Sequence, residues 1–186
     1  MAGGRGSAFP PIVGGGLNST VLHYKDNDQD LVDGDLVCID SGAAFDGYGA
    51  DISRTIPVSG KFTKRQKEIY NIVLKAEEAA IKAVKPGVTM AEVDAIARAI
   101  IVRAGYGDYF IHSIGHHLGL ETHDTCGPDK PLKAGAVVTI EPGIYIPEEA
   151  IGVRIEDDIL VTAKGRKSLS SAIPKSVSDI EKIMRG

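Results

Sequence analysis

The hydrophobic positions follow two different periods, and the switch between them divides the chain into three parts. Short apolar runs bounded by Gly, Pro and Asp come first. Two stretches with apolar residues every three or four positions follow, and then short runs return. In the first part, Phe9-Pro10-Pro11-Ile12-Val13 reads as an extended segment and Gly14-Gly15-Gly16 as a flexible turn. Val21-Leu22-His23-Tyr24 is a strand candidate, and Asp26 to Asp30 is an acidic loop. Asp33-Gly34 launches an apolar run through Leu36, Val37 and Ile39, and a second run spans Ile52 to Val58. Gly42, Asp46, Gly47 and Gly49 lie between them and are turn formers, so the two runs predict a β-hairpin.

Ile69, Ile72, Val73, Ala76, Ala80 and Ala83 then recur at helical spacing. Thr63 is placed as the N-cap and Pro86-Gly87 as the stop. Thr89-Met90-Ala91-Glu92 is a capping-box signature for a second helix carrying Val93, Ile96, Ala97, Ile100 and Ala104, closed by Gly105. The pair predicts a helix hairpin that covers the core. A histidine-rich loop and strand run from His112 to Asp124, followed by a Pro- and Gly-rich loop over Gly127 to Gly135. Two more strands are joined by a hairpin around Ile146-Pro147-Glu148-Glu149, and Ser178 to Met184 read as a short terminal helix or a frayed tail.

The 186 residues are enough for one domain with a real core. A net charge of -4 without a long basic stretch argues against nucleic acid as a partner. No apolar run approaches a membrane span, and Met1-Ala2-Gly3-Gly4-Arg5-Gly6 lacks the apolar core of a signal peptide. Cys38 and Cys126 make no metal-binding spacing and read as reduced thiols of a cytoplasmic protein.

The chemistry is announced by acids in the wrong places. Asp40 and Asp51 fall in the two apolar runs of the first hairpin, where aspartate is a poor strand residue. Glu141 recurs in Val137-Val138-Thr139-Ile140-Glu141-Pro142-Gly143, and Glu156 in Val153-Arg154-Ile155-Glu156-Asp157-Asp158. Buried carboxylates that face one another repel and lose hydration unless positive charge lies among them. Taken singly, each has a plainer reading: a strand Asp as an edge or turn residue, a His near Gly as a surface residue, Asp157 and Asp158 as structural or solvated. Four acids at apolar positions, with four of the five histidines clustered between them, read instead as a metal site. Carboxylates with an imidazole suit manganese, iron, cobalt or zinc. Four such charges balance two divalent ions, and ions about 3.5–4 Å apart form a known hydrolytic arrangement.

These residues resemble a family. Ile39-Asp40-Ser41-Gly42 with Ala50-Asp51-Ile52-Ser53-Arg54-Thr55, His112-Ser113-Ile114-Gly115-His116, Leu118-Gly119-Leu120 with His123-Asp124, Ile140-Glu141-Pro142-Gly143 and Val153-Arg154-Ile155-Glu156-Asp157-Asp158 are similar, in order and spacing, to the pita-bread metallopeptidases. Arg154 to Asp158 and the Leu22-His23-Tyr24 step are closer to the Xaa-Pro aminopeptidase (aminopeptidase P) and prolidase group than to methionine aminopeptidase. The resemblance implies an α+β, pita-bread (creatinase/aminopeptidase-like) fold with a curved antiparallel sheet and covering helices. It implies a metal-dependent exopeptidase that hydrolyses the N-terminal Xaa-Pro bond through a hydroxide bridging two divalent ions, manganese before cobalt, zinc or iron. The alternatives are an Xaa-Pro dipeptidase, another member of the clan such as a creatinase-like hydrolase, and a non-catalytic binding protein on the same fold.

By the same resemblance Asp40 would chelate the first ion, Asp51 and Glu156 would bridge both, and His116 and Glu141 would bind the second. Glu141 would act as general base, His123 would stabilise the tetrahedral intermediate, His112 and His23 would line the pocket, and Arg154 would orient Asp40. His117 receives no role. The partner implied is a peptide with proline in second position. The family's catalytic domain normally begins with two further helices, so residues 1–186 read as one partial catalytic domain, truncated at its N-terminus. A bare sheet face would then be covered by a homo-oligomer partner or by a missing N-terminal segment.

Overall fold

Antiparallel pairing organises the chain in the computed structural model, which describes residues 3–185; Met1, Ala2 and Gly186 lie outside the described residues, including the first two positions of the segment read for a signal peptide. The elements are β1 (Ile12–Gly15), β2 (Leu36–Ser41), a small hairpin of β3 (Ala44–Phe45) and β4 (Tyr48–Gly49), and β5 (Ile52–Pro57). Next come α1 (Lys64–Ala83) and α2 (Met90–Arg103). The chain finishes with β6 (His117–Leu118), β7 (Val137–Ile140), β8 (Gly143–Ile146), β9 (Ile151–Arg154), β10 (Asp157–Thr162), β11 (Gly165–Ser168) and α3 (Val177–Ile183). One sheet has the order β1-β2-β5 and a second β11-β10-β7-β6, while β8 pairs with β9.

Both long helices begin as their sequences dictate. Thr63 accepts from the Gln66 amide while Gln66 reaches back to the Thr63 N–H, and Thr89 and Glu92 do the same for α2. Ile69, Val73, Ala76 and Ala80 of α1 and Val93, Ala97 and Ile101 of α2 are fully buried. They pack in one core with Val138, Ile140, Ile144, Val153, Ile155 and Ile159. Each fully buried valine or isoleucine among them contributes about 1.5–3 kcal/mol.

Some expectations change. Val21 to Tyr24 form a turn rather than a strand, because the 3-10 helix Gly16–Thr20 ends there and Val21 N–H closes onto Asn18 O at 3.1 Å. The strand lies earlier and includes Gly14 and Gly15, which pair with Cys38 and Val37 instead of forming a loop. Ile96 faces outward and Ile101 takes its place in the core, a rotation of the apolar face of α2. The two strands expected after the second loop become four, β7 to β10, since β7 and β9 both stop before their acids, and β11 adds a fifth. The first-half strands keep much of their cover: Leu36, Val37 and Cys38 are buried, whereas Leu17, Val21, Leu31 and Val32 on the adjoining segments are exposed.

A buried ionic latch closes the fold. Lys175 Nζ sits 2.6 Å from Glu77 Oε1 on α1 and 2.6 Å from Asp157 Oδ2 on β10. Arg54 Nη2 holds the other oxygen of Asp157 at 2.7 Å, and its Nε donates to Pro174 O at 2.9 Å. Tyr70 O–H donates to Lys175 O at 2.8 Å. Burial pushes Glu77 up to about 8, against the opposing pull of Lys175. Removing Lys175 leaves Glu77 without a cation, while Asp157 keeps Arg54. Lys175→Met is expected to lower stability by about 3 kcal/mol in urea unfolding, and adding Glu77→Gln is expected to recover part of that loss.

Candidate metal centre

Of the four anomalous acids, only Asp40 lies inside a strand, in β2, opposite Ser53 of β5. Asp51 precedes β5, Glu141 follows β7, and Glu156 fills the gap between β9 and β10. This corrects the picture of acids set within four apolar strands. At a strand end the ladder stops and the backbone is free to turn its side chain inward, whereas within a ladder the side chains alternate strictly. Each junction is pinned by a backbone bond to another segment. Asp51 N–H donates to Asp158 Oδ2 at 3.2 Å, Glu141 N–H to Ile114 O at 2.8 Å, and Glu156 N–H to Ser53 O at 3.1 Å.

Two glycines allow the approach. A Cβ on Gly42 would lie 1.6 Å from Ala50 O, so only glycine lets the end of β2 pass the residue before Asp51. A Cβ on Gly115 would lie 2.2 Å from Thr139 O, so glycine lets the His116 segment dock on β7. There His116 N–H donates to Thr139 Oγ1 at 3.1 Å, and that hydroxyl donates to Glu141 Oε1 at 3.2 Å. His116 Nδ1 lies 3.0 Å from His117 O, which leaves Nε2 facing Asp51 Oδ2 at 3.5 Å and Glu141 Oε1 at 3.4 Å. A backbone partner on one ring nitrogen that frees the other toward acids is the usual arrangement of a ligating histidine.

Ligand atoms of Asp51, His116 and Glu156 all lie within 4.8 Å of one another. Asp40 and Glu141 join them on the wall of one cavity of about 240 Å³, together with His23 and His123. His112 and Arg154 line the adjoining space, with Leu22, His23 and Asp40. All nine site residues named from the sequence therefore gather around one cleft. His117 stands apart from the 240 Å³ cavity, on β6, its Nε2 buried without a hydrogen-bond partner.

The electrostatics are those of crowded acids. Burial raises Asp40 to about 7, with Asp51 and Glu141 adding to the shift and Arg154 opposing it. Burial also raises Glu141 and Glu156, and Glu156 is raised further by Glu141, Asp51 and Asp40. Burial alone would lower His116, but its bond to Asp51 and the charge of Glu141 override it, so its pKa rises. Asp40 Oδ1 and Asp51 Oδ1 are buried with no hydrogen-bond partner. A set of hard oxygens with one imidazole and unspent lone pairs fits a divalent ion.

Around this set lies a layer the sequence reading left out. Arg154 was expected beside Asp40, and its Nη2 donates to Asp40 Oδ2 at 2.9 Å; its Nε donates to Ser53 Oγ at 2.8 Å, and Ser53 donates on to Glu156 Oε2 at 2.7 Å. Tyr145 O–H stands 3.2 Å from Arg154 Nη1 and 2.8 Å from His112 Nε2. Arg54 Nη1 donates to the carbonyl oxygens of Glu156, at 2.6 Å, and Ser53, at 2.8 Å. Thr139 was detectable, since it sits two residues before Glu141 on the same face. Tyr145 and Ser53 carry no short-range signal.

The fold is the pita-bread fold, and the acid cluster lies in its cleft. The sequence pattern of metallopeptidase family M24 matches residues 1–163, and the chain belongs to that family. It is 42% identical to an Xaa-Pro aminopeptidase of Haemophilus influenzae, over 97% of this chain and 49% of the relative. It is 49% identical to an Xaa-Pro dipeptidase of Pyrococcus furiosus, over 91% of this chain and 49% of that one. Zinc-substituted Escherichia coli aminopeptidase P in complex with product superposes with a TM-score of 0.93 at 36% identity, over 98% of this chain and 48% of that one. The chain thus spans about half the length of the curated relatives it matches. No helix among the described residues is long and apolar enough to cross a membrane.

Thr139→Val removes the hydroxyl that holds both His116 and Glu141. Manganese affinity, read by equilibrium dialysis, is expected to fall about tenfold while the melting temperature changes little.

Proposed function

We propose that this chain is the catalytic domain of a metal-dependent exopeptidase that hydrolyses the N-terminal Xaa-Pro bond of peptides. The observation that carries the reading is the convergence of Asp40, Asp51, His116, Glu141 and Glu156 on one cavity that Phe9, Pro10 and Ile12 also line with apolar surface. Those five side chains would hold two divalent ions, manganese first. When bound there, the ions would polarise the scissile carbonyl and bring the pKa of water toward neutrality.

The remaining roles fall to the chain's own groups. Glu141, steadied by Thr139, takes the proton of the attacking water and passes it to the leaving proline nitrogen. His123 stacks edge-on against His116, with ring centroids 4.3 Å apart, and donates to the developing carbonyl oxyanion. Burial lowers His123, with His116 adding to the shift, so its neutral form dominates and the N–H serves as a hydrogen-bond donor. Burial lowers His112 to about 4, and as a neutral ring it meets Tyr145 and bounds the pocket beside His23. Arg154 positions Asp40 directly and Glu156 through Ser53. The acids attract the substrate's free amine, which limits cleavage to the first residue. An Xaa-Pro amide has no N–H, so an apolar wall rather than a hydrogen-bond acceptor suits the proline ring.

The second reading is an Xaa-Pro dipeptidase, favoured by the likeness to the Pyrococcus furiosus enzyme. Assay of an Xaa-Pro-Yaa tripeptide beside an Xaa-Pro dipeptide, with manganese added, separates the two. Cleavage of the tripeptide is the expected result, dipeptide cleavage alone points to the dipeptidase, and no cleavage of either contradicts both. Asp51→Asn replaces a shared carboxylate with a neutral amide. Activity is expected to fall at least about a thousandfold, a loss of about 4 kcal/mol of transition-state stabilisation, together with lowered metal content by elemental analysis.

A further inference from the structure

We propose that Lys25 anchors the C-terminal carboxylate of a short peptide at the leaving-group end of the cleft, making free-acid peptides of two or three residues the preferred substrate class. This rests on the peptidase reading above and adds the group that reads the far end of the substrate. Among the residues lining the 240 Å³ cavity, Lys25 is the one with a fixed positive charge. Arg154, the nearest alternative, is buried and already committed to Asp40 and Ser53. Lys25 is exposed and forms no ion pair among the described residues. Its charge reaches His23, where it joins burial and Arg154 in lowering the imidazole.

The backbone that carries Lys25 is fixed to the apolar wall. Asn27, at a φ of 51°, donates from Nδ2 to Pro11 O at 2.9 Å and accepts from Val13 N–H at 2.7 Å. Tyr24 O–H bonds to Asp28 across the same turn. The lysine is thus carried on a braced turn beside Phe9, Pro10 and Ile12 and does not hang from a free loop.

The cavity therefore carries charge of both signs, four carboxylates and one ammonium among its lining side chains. A zwitterionic peptide has one favourable direction in that field: amine toward the acids, carboxylate away from them and onto Lys25. Lys25 and the acids line the same cavity, so a short peptide held there by its amine presents its free carboxylate to Lys25. A longer peptide presents an uncharged peptide group at the same place and gains nothing there.

Calorimetric titration of manganese-supplemented protein with Pro-Leu, the product of Xaa-Pro-Leu cleavage, and with Pro-Leu amide tests this without turnover. The wild type is expected to bind the acid more tightly than the amide, by about fivefold, and less so as salt is raised. Lys25→Met is expected to erase that difference by weakening the acid alone, and Lys25→Arg to keep it. Equal affinity for acid and amide in the wild type, or equal loss of both in Lys25→Met, would overturn the proposal. A chain that shows the expected binding yet cleaves no Xaa-Pro peptide would sink the peptidase reading and leave the carboxylate anchor standing.

Discussion

Repulsion among buried carboxylates is the constraint on which this structure turns. Asp40, Asp51 and Glu156 are each at most 8% exposed, and Glu141 joins them on the same cavity wall. Water cannot screen them, and the upward shifts at Asp40, Glu141 and Glu156 measure what it costs to keep them charged. A fold that tolerates such crowding must supply positive charge, and among the described residues Arg154 is the one arginine or lysine that pairs with any of these four acids. The unpartnered oxygens of Asp40 and Asp51 point to what completes the balance: cations held by the acids themselves.

The rest of the molecule serves to hold those acids in place against that repulsion. Strand ends place Asp51, Glu141 and Glu156, and each is pinned by a bond from its backbone N–H to a distant segment. Ser53 and Thr139 each spend a hydroxyl on one acid. Arg54 ties the backbone of Glu156 to that of Ser53 and reaches, through Asp157, to Lys175 and Glu77. The ionic latch and the acid cluster are thus two ends of one network that shares the Arg154–Asp158 segment. Breaking a buried pair of this kind costs far more than making it contributes, so such a network fixes geometry more than it adds stability.

Much of this was legible in the sequence, for physical reasons that also explain the failures. Capping signatures at Thr63 and Thr89 are local, so both helices began where the sequence placed them. Acids in apolar runs are a violation of burial rules, and a violation stands out without knowledge of the fold. The runs did not show where the ladders stop, because period two continues through Ile140-Glu141 and Ile155-Glu156 while the hydrogen bonding does not. Val21 to Tyr24 looked like a strand on composition, but the 3-10 helix before it ends there in a turn. Tyr145 and Ser53 matter through partners far away in the chain, and nothing near them in sequence says so.

Membership of metallopeptidase family M24 gives this arrangement its chemical setting, and the central claim can be met without any substrate. If the acids persist together because cations lie among them, the ion is part of the folded state. Thermal unfolding in chelator and then in excess manganese reads this directly. With manganese at about a thousand times its dissociation constant, linkage predicts about 4 kcal/mol of added stability, and hence a melting temperature higher by roughly 10 °C for a chain of this size. Coincident melting curves in chelator and manganese would contradict the account.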